Sequence, residues 1–214
     1  MSAVPGLLAR GPWQAEQVRA RWREDEFDAD PEAAAEAEAA LAELRGRGSP
    51  THDGLSARMA SFVAAPDRLE LELEPARWSL RLARERAEGI SALSVVRDSE
   101  GRWLAGRRAP WVASWPGRWA LGAGGAVDLG ESPAATLSRE LREEWSVQAE
   151  RLTVEALVRL PSGLVLLVGM AHLTAGAQVE MDHEHDDFAW WPADVCAWPD
   201  DADEPLRRMA VLLA

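Results

Sequence analysis

The sequence predicts an α+β fold: a mixed β-sheet with helices on both faces, preceded by an N-terminal extension of helices and a β-hairpin. From residue 90 onwards, short apolar or alternating segments are separated by glycine, proline and acidic turns, which is typical of strands. One well-defined helix lies among them, and strands with a helix between them fit a sheet packed on both faces. Because the pattern changes near residue 88, we divide the chain into an extension, residues 1–88, and a main domain, residues 89–214.

Helices are predicted in much of the N-terminal extension. Residues 12–24 carry a short helical pattern, and residues 55–65 are expected to form another short helix. The clearest helix covers residues 31–45. Asp30 can cap its free N–H groups, proline stands at its first position, and Gly46 closes it.

A β-hairpin is predicted for residues 68–83. The segments RLELELE and ARWSLRL alternate apolar and polar side chains, and Glu74-Pro75 separates them. The edges of this hairpin could extend a sheet in the same subunit or in another. Since no catalytic constellation lies in residues 1–88, we expect them to mediate homodimerisation or to roof the active site of the main domain.

The main domain begins with two strands joined by a D-S-E-G turn at residues 98–101. A loop rich in proline and tryptophan follows, and then a short strand broken by glycines, where backbone must approach another group closely. Beyond the central helix we expect strands at residues 151–160 and 164–173, joined by a Pro-Ser-Gly turn. A strand at residues 188–192 and a helix at residues 203–213 close the chain.

The central helix carries a cluster of carboxylates. Ser132 and Pro133 form a helix start, with a side-chain oxygen to cap N–H groups and a ring that suits the first position. At about 100° per residue, three glutamates share about a third of the helix circumference. They are Glu140, Glu143 and Glu144, and they lie beside the apolar strip Ala134, Leu137, Leu141 and Trp145. Like charges at this spacing repel by about 0.2–0.5 kcal/mol per pair, so the cluster favours a hard divalent cation, Mg²⁺ first and Mn²⁺ second.

Residues 125–147 follow the pattern G-x5-E-x7-R-E-U-x-E-E-x-S-U, where U is aliphatic. This pattern resembles the Nudix box, G-x5-E-x7-R-E-U-x-E-E-x-G-U, at every position but one, where Ser146 replaces glycine. The alternative, a solvated acidic helix face, does not explain the glycine-rich lead-in or the placement of Glu131 and Arg139. The resemblance implies a Nudix α/β/α sandwich across residues 89–214, and a Mg²⁺-dependent hydrolase that cleaves a nucleoside diphosphate linked to another group.

The resemblance also implies a role for each acidic residue of the box. Glu140 and Glu144 match the main metal ligands of the family, and Glu143 matches a third that holds a metal directly or through water. The residue before the box glycine lends a backbone carbonyl to the metal, which points to Gly124 ahead of Gly125.

Two further positions of the box have structural roles. Glu131 and Arg139 match the pair that ties the loop to the helix, because metal ligands must be held to within a fraction of an ångström. Ser146 stands where a glycine usually takes the left-handed conformation that ends a helix. Serine would lose about 1–2 kcal/mol there, so the helix is free to end differently.

Nudix enzymes commonly take a further acid from a loop well downstream of the box, as a metal ligand or as the base that activates water. Glu184, in the stretch DHEHDDF, is the candidate, because it just precedes the last strand and lies between His183 and His185. A solvated acidic turn is the alternative.

Aromatic and basic residues ahead of the box are candidate substrate contacts. Trp111, Trp115 and Trp119 lie where the family often forms one wall of the substrate site. An indole stacked on a base contributes about 1–3 kcal/mol, and burial in the core is the alternative for each tryptophan. Arg107 and Arg108 end a strand beside this loop and could hold phosphate oxygens, or form a solvated pair.

Composition excludes several classes of protein. A net charge of −13 over 214 residues argues against nonspecific binding to nucleic acid or to anionic membranes. A single cysteine, Cys196, excludes a disulfide framework and a cysteine-rich zinc site, and suits a reducing cytoplasm. Neither a membrane span nor a signal pattern is found. We expect a cytoplasmic protein that acts on a small nucleotide-type substrate.

Finer resemblances bear on the substrate. Residues 106–131 resemble the Nudix branch that contains isopentenyl diphosphate isomerases, but they lack the cysteine that the isomerase uses there. Pro161, fifteen residues after Ser146, resembles a proline of ADP-ribose pyrophosphatases. A hydrolase and a Nudix-fold module that binds a nucleotide or metabolite without turnover both stay open. The intact carboxylates favour the hydrolase, because a pure binder has no use for a self-repelling cluster.

Overall fold

A computed structural model describes residues 6–83 and 87–213. Its strands are β1 (Gly6–Gln14), β2 (Val18–Trp22), β3 (Leu55–Ala65), β4 (Arg68–Arg77), β5 (Ile90–Arg97), β6 (Trp103–Arg108), β7 (Trp119–Leu121), β8 (Ala123–Ala126), β9 (Arg151–Arg159), β10 (Val165–His172) and β11 (His185–Trp191). Its helices are α1 (Pro31–Gly46), α2 (Pro133–Trp145) and α3 (Glu204–Leu213), with 3-10 segments at Ala15–Gln17, Trp78–Leu82 and Val195–Ala197. Over the described ranges, none of the helices is both long and apolar enough to cross a membrane.

The main sheet follows the strand order β1-β9-β10-β5-β6-β11, with β7 paired to β6 and β8 paired to β5. Strands β10 and β5 are parallel. Strand β9 is antiparallel to β10, and β11 is antiparallel to β6. The prediction of a mixed sheet is therefore confirmed. Its last strand begins at His185, three residues before the predicted start.

Helices cover both faces of this sheet. Successive residues of a strand point to opposite faces, and Val95 and Val96 on β5 are both fully buried. Val95 belongs to the core that contains Leu206 of α3, whereas Val96 belongs to the core that contains Leu141 of α2. The sheet therefore lies between α2 and α3, which confirms the α+β class and the three-layer arrangement.

Two predicted helices of the N-terminal extension are strands. The prediction for residues 12–24 is wrong, because β1 pairs with β9 at the edge of the main sheet and β2 pairs with β4. The prediction for residues 55–65 is wrong as well, because β3 pairs with β4 along its whole length. Backbone hydrogen bonds to the partner strands outweigh the weak local helix propensity of both segments. The helix predicted after Asp30 is confirmed as α1, and the Asp30 side chain accepts from the N–H groups of Glu32 and Ala33.

The predicted hairpin has a different register. Strand β4 runs through Pro75, and its hairpin partner is β3, so the turn lies at residues 66–67. Pro75 is tolerated because it lies beyond Leu73, the last residue of β4 that pairs with β2, and no strand needs its missing N–H. The second half of the predicted hairpin instead forms the 3-10 segment Trp78–Leu82.

The extension packs directly against the central helix. Leu69 and Leu71 of β4 share one buried core with Ala134 and Leu137 of α2. Near the start of β3, the Ala57 N–H donates to the carbonyl oxygen of Val127 at 2.8 Å. These contacts bring the loop ahead of β3 and the 3-10 segment after β4 beside the glycine-rich lead-in to α2.

Candidate active site

Helix α2 has Pro133 at its first position, as predicted. Ser132 caps it differently from the expectation: its side chain makes no capping hydrogen bond, and its carbonyl oxygen accepts from Ala135 at 2.8 Å and from Thr136 at 3.1 Å. The predicted apolar strip along the helix is buried. It consists of Ala134, Leu137, Leu141 and Trp145. Burial of this strip fixes which way the carboxylates of the same helix face.

Glu140 is a buried carboxylate. Its exposed fraction is 7%, and its Oε1 pairs with Nη1 of Arg139 at 2.7 Å. Burial raises the pKa of Glu140 to about 7 in spite of this ion pair, and the charge of Glu143 adds to the rise. Glu143 is itself more than half exposed and pairs with Arg139 at 2.8 Å. One arginine therefore holds two of the three predicted ligands.

Glu144 is buried more deeply than Glu140. Its Oε1 accepts from the N–H of Gly124 at 3.2 Å, whereas its Oε2 has no hydrogen-bond partner. Nη1 of Arg108 and Nε2 of His185 each lie 3.7 Å from Oε2. Burial raises the pKa of Glu144 well above its ordinary value. An acceptor oxygen that is buried without a partner costs about 1–3 kcal/mol, so this position favours an added cation.

The donor set fits a hard divalent cation. Glu140, Glu143 and Glu144 offer carboxylate oxygens, which are the ligands that Mg²⁺ prefers. Over residues 6–83 and 87–213, however, no three acidic, histidine or cysteine side chains already converge as a metal-binding group. The Glu140 and Glu143 carboxylates contact arginine instead. The unpartnered oxygen of Glu144 is the atom that most needs a cation.

The predicted brace is present around Glu131. Arg139 reaches Glu131 at 3.1 Å and also donates to the carbonyl oxygen of Ala126 at 3.0 Å. The Thr136 hydroxyl donates to Glu131 at 2.7 Å. Although burial opposes the effect, these hydrogen bonds hold the pKa of Glu131 below its ordinary value. The backbone at Gly125 also lies very close to Glu140. This explains the box glycine, because a Cβ at Gly125 would overlap the Glu140 carboxylate.

Ser146 ends α2 in the left-handed conformation. Its φ is 54°, and its N–H donates to the carbonyl oxygen of Arg142 at 3.1 Å. The expectation that α2 ends differently from a glycine-capped helix is therefore wrong, because Ser146 takes the left-handed conformation that glycine usually takes. A serine loses free energy in this conformation because its Cβ approaches the backbone.

Glu184 lies opposite the helix, where its Oε2 accepts from Nη2 of Arg108 at 2.7 Å. The structure also brings two residues to the site to which the sequence analysis gave no role, His185 and Asp182. His185 is almost fully buried, and its Nδ1 lies 3.2 Å from Oδ1 of Asp182. Its ring lies 4.7 Å from that of Trp145. The alternation of acids and histidines in DHEHDD was the available signal, because only alternate residues of an incipient strand can face the helix.

Two cavities meet at these residues. The first, of about 390 Å³, lies over the box carboxylates and is also lined by the extension through Ser49, Pro50, Thr51, His52, Leu55, Ser56, Trp78 and Arg81. The second, of about 250 Å³, lies between the sheet and α3 and is walled mainly by apolar side chains, among them Leu93, Leu121, Leu166, Leu206 and Met209. The residues common to both walls are Arg81, Arg108, Ser114, Gly124 and Glu144.

The three candidate tryptophans have different surroundings. Trp111 lines the first cavity and stacks on the ring of His183 at 5.3 Å. Trp115 lines the second cavity. Trp119 lies in neither described wall; its indole N–H donates to Asp201 at 2.8 Å, and its ring packs on Trp191 at 5.5 Å.

The candidate arginines also separate. Arg108 lines both cavities. Arg107 lies in neither described wall and pairs with Asp186 at 2.6 Å. The two are neighbours on β6, so their side chains point to opposite faces of the sheet. Only Arg108 faces the carboxylates of α2.

A model of the NUDIX domain matches residues 87–212, more than half of the chain. The chain belongs to the Nudix family. The match begins at the end of the N-terminal extension and includes all the residues of the box. Nudix hydrolases are pyrophosphohydrolases, which act on acid anhydrides, and this chain is a hydrolase of that class.

Solved Nudix structures also resemble the chain. The MutT NUDIX hydrolase from Burkholderia pseudomallei is 22% identical, over 59% of this chain and 98% of that one, with a TM-score of 0.49. The NUDIX domain of Shewanella oneidensis NrtR, complexed with ADP ribose, is 21% identical over 58% and 85%, with a TM-score of 0.48. The MutT protein from Methanosarcina mazei Go1 is 21% identical over 57% and 91%, with a TM-score of 0.45. No curated protein matches the chain. The family assignment rests on the domain match alone.

Replacing Ser146 by glycine is expected to stabilise this Nudix protein. Glycine takes a φ of 54° without the steric cost of a side chain, so the free energy of unfolding should rise by about 1 kcal/mol. For a chain of this size that corresponds to about 2–4 °C in Tm. Thermal denaturation of Ser146→Gly and wild type measures it. A Tm at or below that of wild type would contradict the assigned strain.

Glu140 predicts a pH dependence of stability. An acid whose pKa rises on folding, here from 4.5 to about 7, stabilises the fold while it is protonated, and this contribution is lost as pH rises through about 7. The loss is on the order of 3 kcal/mol. We expect the Tm of metal-free wild type, measured in EDTA, to fall more between about pH 5 and pH 7.5 than that of Glu140→Gln, which cannot titrate there. Parallel pH profiles would disprove the role of Glu140.

Proposed function

We propose that this protein is a Mg²⁺-dependent Nudix hydrolase that cleaves the diphosphate bond of a nucleoside diphosphate linked to a second group. The observation that carries the proposal is the pair of buried carboxylates, Glu140 and Glu144, at the wall of a cavity large enough for a small ligand. Burial raises the pKa of both, and one oxygen of Glu144 has no partner. A divalent cation would stabilise both groups in the ionised form. Mn²⁺ is the second choice by the same chemistry.

Glu140, Glu143 and Glu144, with the carbonyl oxygen of Gly124, would hold the cation. When bound, it would neutralise charge on the diphosphate oxygens. The brace of Glu131 and Arg139 would keep Glu140 in place during turnover. These roles agree with the burial and ion pairs of the side chains, since Glu140 and Glu144 are buried and Glu143 reaches solvent.

The reaction itself is the transfer of one phosphoryl group to water. The oxygen of water forms a new bond to one phosphorus, the bond from that phosphorus to the bridging oxygen breaks, and the proton of water passes to a carboxylate. Glu184 is the proposed acceptor, because it lines the same cavity as Glu140 and Glu143. Arg108 would orient the phosphate oxygens, since its guanidinium lies between Glu184 and Glu144.

ADP-ribose is one candidate substrate. Pro161 lies in the turn between β9 and β10, and its neighbours Leu160 and Leu164 line the apolar cavity. The alternative function is a non-catalytic Nudix-fold module that binds a nucleotide or metabolite. Buried, mutually repelling carboxylates favour the hydrolase, because binding alone does not require them. Homodimerisation and a cytoplasmic location stay predictions from the sequence.

The metal proposal is tested by Glu144→Gln. We expect EDTA to abolish turnover of wild type, and Mg²⁺ at a hundredfold excess over its Kd to add about 2.7 kcal/mol of stability. Glu144→Gln removes a ligand charge, so it should lower kcat by about a hundredfold or more and abolish the rise in Tm. Glu143→Gln is the matched control on the same helix, with a smaller expected loss because that side chain is exposed. Unchanged turnover and Mg²⁺ response in Glu144→Gln would refute the assignment.

The tryptophan proposal separates Trp115 from Trp119. Because Trp115 lines the apolar cavity, Trp115→Ala should raise KM about tenfold to a hundredfold and leave Tm nearly unchanged. Trp119 packs on Trp191 and bonds Asp201, so Trp119→Ala should lower Tm with little effect on KM. Steady-state kinetics, with ADP-ribose among the substrates screened, and thermal denaturation give both values. If Trp115→Ala lowers Tm and leaves KM unchanged, Trp115 is structural and does not stack on substrate.

A further inference from the structure

The N-terminal extension contributes a basic residue to the catalytic cavity. Arg81 lies in the 3-10 segment Trp78–Leu82, before residue 87, where the match to the Nudix domain begins. It lines the cavity over the box carboxylates and also the apolar cavity beside α3. Of the residues common to the two walls, only Arg81 comes from the extension.

The partners of Arg81 differ from those of the other arginines near the site. Its Nη2 donates to the hydroxyl of Ser91, and its guanidinium lies 5.6 Å from the ring of Trp78. Over residues 6–83 and 87–213, it forms no ion pair with a carboxylate. Arg108 and Arg139, by contrast, each pair with a glutamate at close range.

The surroundings of Arg81 disfavour its charged form. Burial lowers the pKa of Arg81 to about 10, and the negative charge of Glu140 opposes that effect only in part. A cation that is partly removed from water without a close counter-ion favours the arrival of an anion. Ser91 accepts one N–H of a guanidinium that carries five, so donors remain for a second ligand.

We propose that Arg81 binds an oxygen of the substrate diphosphate, so that the N-terminal extension completes the active site. Arginine suits this role because its planar guanidinium donates two parallel hydrogen bonds to a phosphate. Arg81 and Arg108 line both cavities, and so does Glu144 of the box. A diphosphate at that junction would reach the box carboxylates on one side and place its substituent in the apolar cavity on the other.

The local structure keeps Arg81 in position. Asp53 accepts from the N–H of Ser79 at 2.9 Å and from Nη2 of Arg77 at 2.6 Å, which ties the 3-10 segment to the loop ahead of β3. Leu80, next to Arg81, is buried against Ala37 of α1. A side chain anchored in this way needs little reordering to bind an anion, and preorganisation of that kind increases affinity. Helix α1 therefore supports the site although it lies far from it in sequence.

The identity of the anion rests on the proposed hydrolase function, so the test measures binding and not turnover. Inorganic pyrophosphate is titrated into the full-length protein by calorimetry, with and without Mg²⁺. We expect Arg81→Gln to weaken pyrophosphate binding tenfold or more, because a charge-assisted pair is lost. Arg68→Gln is the matched control. Arg68 is also an arginine of the extension, but it is a half-exposed residue at the start of β4, outside both cavities, and its loss should leave the affinity unchanged.

Each outcome decides the proposal. Wild-type affinity in Arg81→Gln, or no pyrophosphate binding by the wild type, overturns it. If Arg81→Gln fails to fold, Arg81→Lys decides, since lysine keeps the charge and loses the planar pair of donors. A threefold or greater loss of pyrophosphate affinity in Arg81→Lys supports the role of Arg81, and wild-type affinity in that variant overturns it. If pyrophosphate binding depends on Arg81 but no diphosphate substrate is turned over, the hydrolase proposal fails and the anion site stands.

Discussion

The burial of two glutamate carboxylates on α2 is the constraint on which the site depends. Glu140 and Glu144 are carried into the protein because the apolar strip on the neighbouring edge of the helix packs against the sheet. A buried carboxylate without compensation is costly, so the surrounding structure supplies cationic and N–H groups. Arg139 contacts Glu140, and the Gly124 N–H contacts Glu144. What these groups leave unsatisfied, above all one oxygen of Glu144, defines where a cation fits.

The glycine-rich lead-in and the brace follow from the same constraint. Strand β8, which leads towards α2, passes so close to Glu140 that a side chain at Gly125 would overlap the carboxylate. Arg139 then links the helix to the loop through Glu131 and through the carbonyl oxygen of Ala126. The strained end of α2 at Ser146 costs free energy and removes no charged group from the site. The residues at the fixed positions of the box therefore pack together, and their contacts limit the movement of the carboxylates.

The N-terminal extension is a structural part of the same unit. Strand β1 adds an edge to the main sheet, and β4 shares a core with α2. Through Ala57 and Val127 the extension is hydrogen-bonded to the loop that leads into the box. Its loop and 3-10 segment then form one wall of the cavity over the carboxylates. The cavity over the box carboxylates is therefore formed by parts of the chain that a search for local motifs treats separately.

The sequence by itself determined the features that depend on local spacing. The helix periodicity of residues 133–145 placed three glutamates beside an apolar strip, and the fixed intervals to Glu131 and Arg139 identified the family. The same local signals gave α1, α3 and most strands of the main domain. Only the tertiary structure decided that residues 12–24 and 55–65 lie largely in strands, because a strand is stabilised by the strand it pairs with: β1 pairs with β9, which is far away in sequence, and β3 pairs with β4 across a short turn. The tertiary structure alone also brought Arg81 and His185 to the carboxylates. Contacts between segments that are distant in sequence form only when the sheets and helices pack together, so they cannot be predicted from the spacing of residues along the chain.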